Sequence, residues 1–174
     1  MKASSLQPQR RRILGIDPGL ASTGWGVIEE DINLKLVYVD HGVIKTKADC
    51  LRADRLYFIL QKIRLIIKKY EPSEAAIEIL FFGKNVTSAI PVAESRGVIS
   101  AAVAEKNIPL HEFTPNAIKT GVCGTASADK KQVQEMVRII LALEKIPSPD
   151  HAADALGAAI CAANKRQFLP QGAQ

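Results

Sequence analysis

The spacing of hydrophobic residues predicts a sheet in the first third of the chain. Short β-rich segments occupy residues 12–16, 23–30, 35–40 and 41–45. Pro and Gly at 18–19 mark a turn after the first segment, and further turns are expected at Asn33 and at residues 40–42. The close spacing of these segments predicts a three-stranded antiparallel meander.

The hydrophobic period changes after residue 50, where apolar side chains recur three and four positions apart. This predicted helix face consists of Leu56, Ile59, Leu60, Ile63, Ile66, Ile67 and Tyr70. The pattern predicts an amphipathic helix over residues 51–70, which Glu71-Pro72 ends. The run 75–82 is then apolar except for Glu78, which is typical of a buried parallel strand.

Helices and strands alternate in the rest of the chain. A helix rich in Ala, Val and Ile is predicted over 86–106, with Pro91 early in it as a start or kink. The remaining predicted elements are a strand over 108–113, a short helix or turn opening at 114–116, a loop at 121–124, and helices over 127–143 and about 149–164. Ser127 is the expected N-cap of its helix.

This order of elements predicts an α/β fold on a mixed sheet, in which an antiparallel meander is followed by parallel strands. We expect one domain over residues 12–165. Residues 1–11 are expected to form a flexible basic N-terminal extension, and residues 166–174 a flexible C-terminal tail.

Composition and charge narrow the classes of protein without choosing one. Of the 174 residues 47% are hydrophobic, but no run approaches the roughly 18 apolar residues that a membrane helix needs. The net charge of +5 weakly favours an anionic partner. The cysteines Cys50, Cys123 and Cys161 are far apart, which favours a reduced cytoplasmic protein over a disulfide framework or a zinc site.

Two carboxylates stand where apolar residues are expected. Asp17 follows the first predicted strand, and Glu78 interrupts an apolar run. An ionised carboxylate in such a place is costly unless it is paired or bound to a cation. A structural salt bridge or an exposed strand end would explain each of them singly about as well as a functional site.

The predicted last helix carries a third polar cluster. His151 and Asp154 are three residues apart and share a helix face, with alanines around them that let the helix lie close to the sheet. Asp150 is interpreted as a helix-start residue, because it follows Ser148-Pro149 and negative charge suits a helix N-terminus.

Asp17, Glu78 and Asp154 would repel one another strongly if the fold brought them together. Divalent cations relieve such repulsion, and Mg²⁺ prefers oxygen ligands. Two such ions roughly 4 Å apart can clamp the attacking and leaving oxygens of a phosphoryl transfer. The constellation therefore indicates metal-dependent phosphodiester hydrolysis, provided that it forms.

The residues that flank these acids resemble RuvC-type Holliday junction resolvases. The matching segments, in collinear order, are 13–19, 23–28, 76–78, Phe81, 84–85, 93–97, 127–130 and 154–156. One motif alone is weak, because actin-like ATPases also open with a Gly-and-Asp strand turn. The collinear set, over roughly residues 12–163, is highly specific.

The resemblance implies an RNase H-like fold, with a five-stranded mixed sheet flanked by helices. It implies a homodimer that nicks four-way DNA junctions symmetrically, leaves 5′-phosphate and 3′-hydroxyl ends, and cooperates with a branch-migration motor complex. The metal and catalytic positions of the family map onto Asp17, Glu78, His151 and Asp154. Two Mg²⁺ ions per subunit are expected, with Mn²⁺ as a substitute.

His151 departs from the Asp that many family members carry, although some members accept His. Imidazole binds Mn²⁺ better than Mg²⁺, so Mn²⁺ is expected to support activity at least as well. His151 could instead position or deprotonate a water molecule.

The resemblance also implies DNA contacts at Phe81, Lys84, Lys119 and Lys130. Phe81 matches an aromatic residue that stacks at the junction, and core packing is its alternative. The lysines would contact phosphates, and an exposed surface lysine is the alternative for each.

Two other functions stay open from the sequence. The protein could be a junction-binding module in which His151 impairs metal binding, and metal-dependent turnover separates that class from a nuclease. It could also be a fragment of an actin-like ATPase, but that class needs two such domains around the nucleotide.

Overall fold

The computed structural model describes residues 11–79 and 86–167. A five-stranded mixed sheet forms the centre of this part of the protein. Its strands are β1 (Arg11–Asp17), β2 (Ser22–Glu30), β3 (Leu36–Lys45), β4 (Glu74–Glu78) and β5 (Leu110–Phe113). The strand order is β3-β2-β1-β4-β5, antiparallel across β1 to β3 and parallel across β1, β4 and β5. The predicted meander followed by parallel strands is confirmed.

Helices cover both faces of the sheet. They are α1 (Arg52–Tyr70), α2 (Val86–Ala104), α3 (Pro115–Cys123), α4 (Lys130–Ile140) and α5 (Asp150–Gln167). Leu14 and Ile16 of β1 pack with α1 and α2, whereas Ile13 packs with α3, α4 and α5. This division follows from the alternation of side chains along a strand. None of the described helices is long and apolar enough to cross a membrane.

The prediction of a turn at residues 40–42 is wrong, because β3 runs through them without a break. A shift in register between Val27 and Ile28 of β2 accommodates an extra residue of β3. The carboxylate of Asp40 accepts a hydrogen bond from the Tyr70 hydroxyl of α1. The predicted turn at Asn33 is confirmed, and Asp31 accepts the backbone N–H of Asn33 there.

The predicted loop at 121–124 is also wrong, because α3 continues to Cys123 and ends at Gly124 in the left-handed conformation. Gly121 lies inside this helix, at a position where α5 packs so tightly against α3 that a side chain has little room. A Cβ at Gly121 would lie 2.7 Å from Sγ of Cys161. The sequence shows the glycine but not this neighbour.

Several further boundaries differ from the predictions, and α5 continues to Gln167, into the predicted C-terminal tail. The N-cap of α4 is Asp129 rather than Ser127, and Asp129 forms a capping box with Gln132. The apolar run predicted a strand to residue 82, but β4 ends at Glu78. Residues 80–82 of that run lie outside the described part of the chain. Strand β1 begins at Arg11, whose guanidinium lies 2.7 Å from Glu74 Oε1 and 2.9 Å from Glu30 Oε2.

Three glycines let α5 lie directly on the sheet. A Cβ at Gly15 of β1 would lie 1.9 Å from the Ala155 carbonyl oxygen, and one at Gly24 of β2 would lie 1.9 Å from that of His151. A Cβ at Gly26 would lie 2.6 Å from Leu156. Any side chain at these positions would push α5 outward. The close approach sets the position of the first turns of α5 over the end of β1.

We predict that Gly15→Ala destabilises the protein by about 2–3 kcal/mol, because the added methyl group would displace the α5 backbone. Chemical denaturation measures this loss of unfolding free energy. Gly157→Ala is the matched control, since a Cβ there would make only ordinary contact at 3.4 Å with Ile118. Equal stability of the two variants would contradict the proposed constraint.

Candidate metal centre

The carboxylates of Asp17 and Glu78 meet at one edge of the sheet. Asp17 ends β1 and Glu78 ends β4. These strands are parallel and pair Ile16 with Ile77, so the next residue of each strand reaches the same edge. The sequence placed both acids at or within strands, and the structure shows that both occupy strand ends.

Helix α5 brings two more polar side chains to this edge. His151 Nδ1 lies 2.7 Å from Asp17 Oδ2. Asp17, His151 and Asp154 each offer a ligand atom, and these atoms all lie within 4.8 Å of one another. The buried alanines Ala152 and Ala155 keep this part of α5 close to the sheet. The predicted sharing of one helix face by His151 and Asp154 is confirmed.

Burial raises the pKa values of all three acids at this edge, and neighbouring acids add to the increase for Asp17 and Glu78. Burial raises the pKa of Glu78 from 4.5 to about 7, and the charges of Asp17 and Asp154 add to the increase. Burial also raises the pKa of Asp17, against which the hydrogen bond from His151 acts. The pKa of Asp154 is raised by burial as well, with Lys130 opposing the shift. The folded protein thus holds three carboxyl groups where their ionised forms are disfavoured.

This donor set fits a divalent cation. Asp17 and Asp154 offer oxygen ligands and His151 offers a nitrogen within 4.8 Å of one another, and Glu78 adds a third carboxylate at the same sheet edge, outside that group. A dication at this edge would favour the ionised carboxylates and offset their mutual repulsion. Asp17, Glu78, His151 and Asp154 are the residues that would hold it.

A lysine stands at the rim of the cluster. Lys130 Nζ lies 3.5 Å from Asp154 Oδ2 and 3.1 Å from Asp150 Oδ2. Burial lowers the pKa of Lys130, but its hydrogen bonds and charge interactions with the two aspartates outweigh that effect and raise it. Asp150 occupies the first turn of α5, as predicted. Its ion pair with Lys130 joins the starts of α4 and α5 and was not predicted from the sequence.

The other predicted DNA-contact residues lie elsewhere or outside the described chain. Lys119 is half-buried on α3, and its charge lowers the pKa of Cys123 against the larger, raising effect of burial. The structure gives no direct contact between Lys119 and the four cluster residues. Phe81 and Lys84 fall within residues 80–85, outside the described part.

The family of crossover junction endodeoxyribonucleases RuvC matches residues 13–162 of this chain. A protein of that name from Treponema denticola is 48% identical over 162 residues, which cover 93% of this chain and 90% of the relative. The namesake from Chloroflexus aggregans is 49% identical over 150 residues, which cover 86% of this chain and 91% of the relative.

Solved structures show the same fold. The Thermus thermophilus RuvC structure is 30% identical with a TM-score of 0.82, over 90% of this chain and 95% of that one. The T. thermophilus RuvC in complex with Holliday junction substrate gives a TM-score of 0.85 at the same identity and coverage. A yeast mitochondrial Holliday junction resolvase, Ydc2, shares the fold with a TM-score of 0.61 at 16% identity, over 91% of this chain and 86% of that one.

The mixed sheet and the acid cluster at its edge define an RNase H-like nuclease, the predicted fold and enzyme class. Within that class, the chain belongs to the RuvC family of crossover junction endodeoxyribonucleases. This family is a family of divalent-metal nucleases, and the carboxylate and imidazole cluster fits that chemistry. The alternative of an actin-like ATPase fragment is wrong, because the match covers most of both chains.

We predict that the metal-free protein loses stability as the pH rises from about 4.5 to about 7. The raised pKa of Glu78 means that the folded protein holds this proton more tightly than the unfolded chain. The resulting stabilisation is complete below the pKa that Glu78 has in the unfolded chain. It is lost as the pH rises through the pKa of about 7 that Glu78 has in the folded protein. Thermal unfolding with a chelator across this range measures the effect.

Glu78→Gln is expected to flatten this part of the pH profile, because the group that titrates is removed. A divalent cation at pH 8 is expected to raise the melting temperature of the unaltered protein more than that of Glu78→Gln. An unchanged pH slope in Glu78→Gln would contradict the assignment.

Proposed function

We propose that this protein resolves four-way DNA junctions by symmetric, metal-dependent phosphodiester hydrolysis in homologous recombination and DNA repair. The observation that carries the proposal is the convergence of Asp17, His151 and Asp154 within 4.8 Å, with Glu78 beside them at the same sheet edge. Membership of the RuvC family supports the junction as the substrate.

The four cluster residues are assigned catalytic roles in holding the cation. When bound, divalent ions, proposed as two Mg²⁺ per subunit, activate water and neutralise charge on the scissile phosphate. Asp17 contributes from the end of β1, Glu78 from the end of β4, and Asp154 from α5. Their separate elements fix the three carboxylates in place before substrate arrives. The products carry 5′-phosphate and 3′-hydroxyl ends.

The tautomer of His151 decides which of its ring nitrogens can bind a cation or accept a proton. Its Nδ1 lies 2.7 Å from Asp17 Oδ2, so the carboxylate favours the proton on Nδ1. Nε2 then carries the lone pair, which can ligate a cation or accept a proton from water. Carboxylates hold ligating histidines in this way in many metal sites. We propose Nε2 as the functional atom of His151.

Contacts with DNA complete the proposal. Lys130 at the cluster rim and Lys119 on α3 would contact phosphates near the scissile bond. Phe81 and Lys84, which lie outside the described part of the chain, are also proposed to contact the junction. Near-twofold DNA requires two symmetric sites, which a homodimer supplies. By family, a branch-migration motor complex is a proposed partner.

The proposed location is the cytoplasm, where the DNA substrate of a bacterial-type recombination nuclease lies. Cys50, Cys123 and Cys161 are all unpaired, which accords with a reducing compartment. The proposed domain assignment is one nuclease domain, predicted over residues 12–165 and extended by Arg11 in β1 and by α5 to Gln167, between two terminal segments.

We predict that Asp17→Asn abolishes nicking, with a fall in rate of about 10²–10³-fold or more, while junction binding is kept. The amide loses the charge that holds the cation but keeps the shape of the side chain. Cleavage is measured on end-labelled four-way junctions of varied core sequence and on plain duplex, each with Mg²⁺ or EDTA. Binding is measured by mobility shift. Asp49→Asn, at an exposed aspartate before α1, is the control for charge.

Paired symmetric nicks on the junction alone, abolished by EDTA, would support the proposed function. Tight binding of the unaltered protein without nicks in any metal would contradict it and favour the junction-binding module. Persistent nicking by Asp17→Asn would contradict the role of Asp17.

We predict that Mn²⁺ supports cleavage at least as well as Mg²⁺, because imidazole nitrogen is a better ligand for Mn²⁺. His151→Asp is expected to shift the preference toward Mg²⁺ by replacing nitrogen with oxygen. Cleavage rates across a concentration series of each metal measure the preference. Much weaker cleavage in Mn²⁺ by the unaltered protein would refute the prediction.

A further inference from the structure

Lys130 bridges an aspartate inside the metal cluster and an aspartate outside it. Its ammonium lies 3.5 Å from Asp154 Oδ2 and 3.1 Å from Asp150 Oδ2. Asp154 belongs to the cluster, whereas Asp150 is an exposed residue in the first turn of α5 and is absent from the cluster of potential ligands. The proposed function gives Asp150 no role.

The two carboxylates hold the ammonium group of Lys130, whereas the start of α4 does not favour its charge. Lys130 is the first residue of α4, where the helix dipole disfavours a positive charge. The capping box fixes this helix start, with Asp129 Oδ1 accepting the Gln132 N–H at 2.9 Å. Asp150 supplies the shorter of the two ion pairs that hold the ammonium.

The ammonium and a divalent cation would compete for the carboxylate of Asp154. Before a metal binds, Lys130 offsets part of the repulsion among the buried acids by lying beside Asp154. A dication on Asp154 would repel the ammonium from that oxygen. Asp150 would then still hold the ammonium at the rim, where an anionic phosphate approaches.

We propose that Asp150 is a positioning residue for Lys130. It keeps the ammonium at the rim of the metal centre, so that Lys130 acts as the counter-ion of Asp154 in the metal-free protein and remains available to the phosphate once metal is bound. The second half of this role rests on the proposed function, and the first half is independent of it.

Metal affinity of the protein without DNA tests the first half. Titration calorimetry with Mn²⁺ is expected to show a dissociation constant about threefold to tenfold lower in Lys130→Gln, because the competing cation is gone. Asp150→Asn is expected to raise it about threefold, because the ammonium then pairs with Asp154 alone. Asp150→Glu, which keeps the charge, is expected to restore most of the affinity.

A double variant separates positioning from the general effect of charge. If Asp150 acts through Lys130, Asp150→Asn has no further effect on the dissociation constant in the Lys130→Gln background. Glu144→Gln and Lys145→Gln change the charge at exposed positions between α4 and α5 and are the matched controls. Circular dichroism verifies that each variant is folded.

An equal effect of Asp150→Asn with and without Lys130 would overturn the proposal, because it would show a through-space charge effect. Weaker Mn²⁺ binding by Lys130→Gln would overturn it too. Junction cleavage gives the second readout: Asp150→Asn should lower kcat severalfold at saturating metal, with KM for the junction unchanged. An unchanged kcat would overturn the second half.

Failure of the proposed function is recognised separately. In that case the unaltered protein would bind metal with the predicted ordering of variants but would not nick junctions. The calorimetric result therefore decides the counter-ion role whatever the substrate is.

Discussion

The backbone of α5 lies against the backbones of β1 and β2, and the metal centre depends on this contact. Only glycine at positions 15 and 24 leaves room for the Ala155 and His151 carbonyl groups. The first turns of α5 therefore lie over the end of β1, within hydrogen-bond distance of Asp17. A looser contact would separate the imidazole from the carboxylate and leave the acids on the sheet without their partners from α5.

Charge is the second constraint, and it opposes the first. Tight packing buries Asp17, Glu78 and Asp154 enough to raise the pKa of each one. The fold bears this cost because His151 and Lys130 lie beside the acids, and because a divalent cation can complete the compensation. The site is thus poised for a cation by the same packing that makes it electrostatically unfavourable without one.

Much of this arrangement could be predicted from the sequence, because the informative signals are local. Glu78 stands out within an apolar run, and His151 and Asp154 share a helix face by their spacing. Most errors fall where the deciding contact is distant in sequence; the N-cap of α4 is the exception, because Asp129 and Gln132 are only three residues apart. Asp40 resembled a turn residue because its partner Tyr70 lies on α1, and Gly121 resembled a loop residue because its neighbour Cys161 lies on α5. The ion pair of Lys130 with Asp150 was missed for the same reason.

The most direct test of the account is the location of the metal. Crystals of the protein grown without DNA and soaked in Mn²⁺ would give anomalous scattering peaks at the bound ions. The account predicts a peak in direct coordination distance of Asp17 and Asp154, with a nitrogen of His151 or an oxygen of Glu78 as a further ligand. A fully occupied manganese ion elsewhere, with none at this cluster, would contradict it.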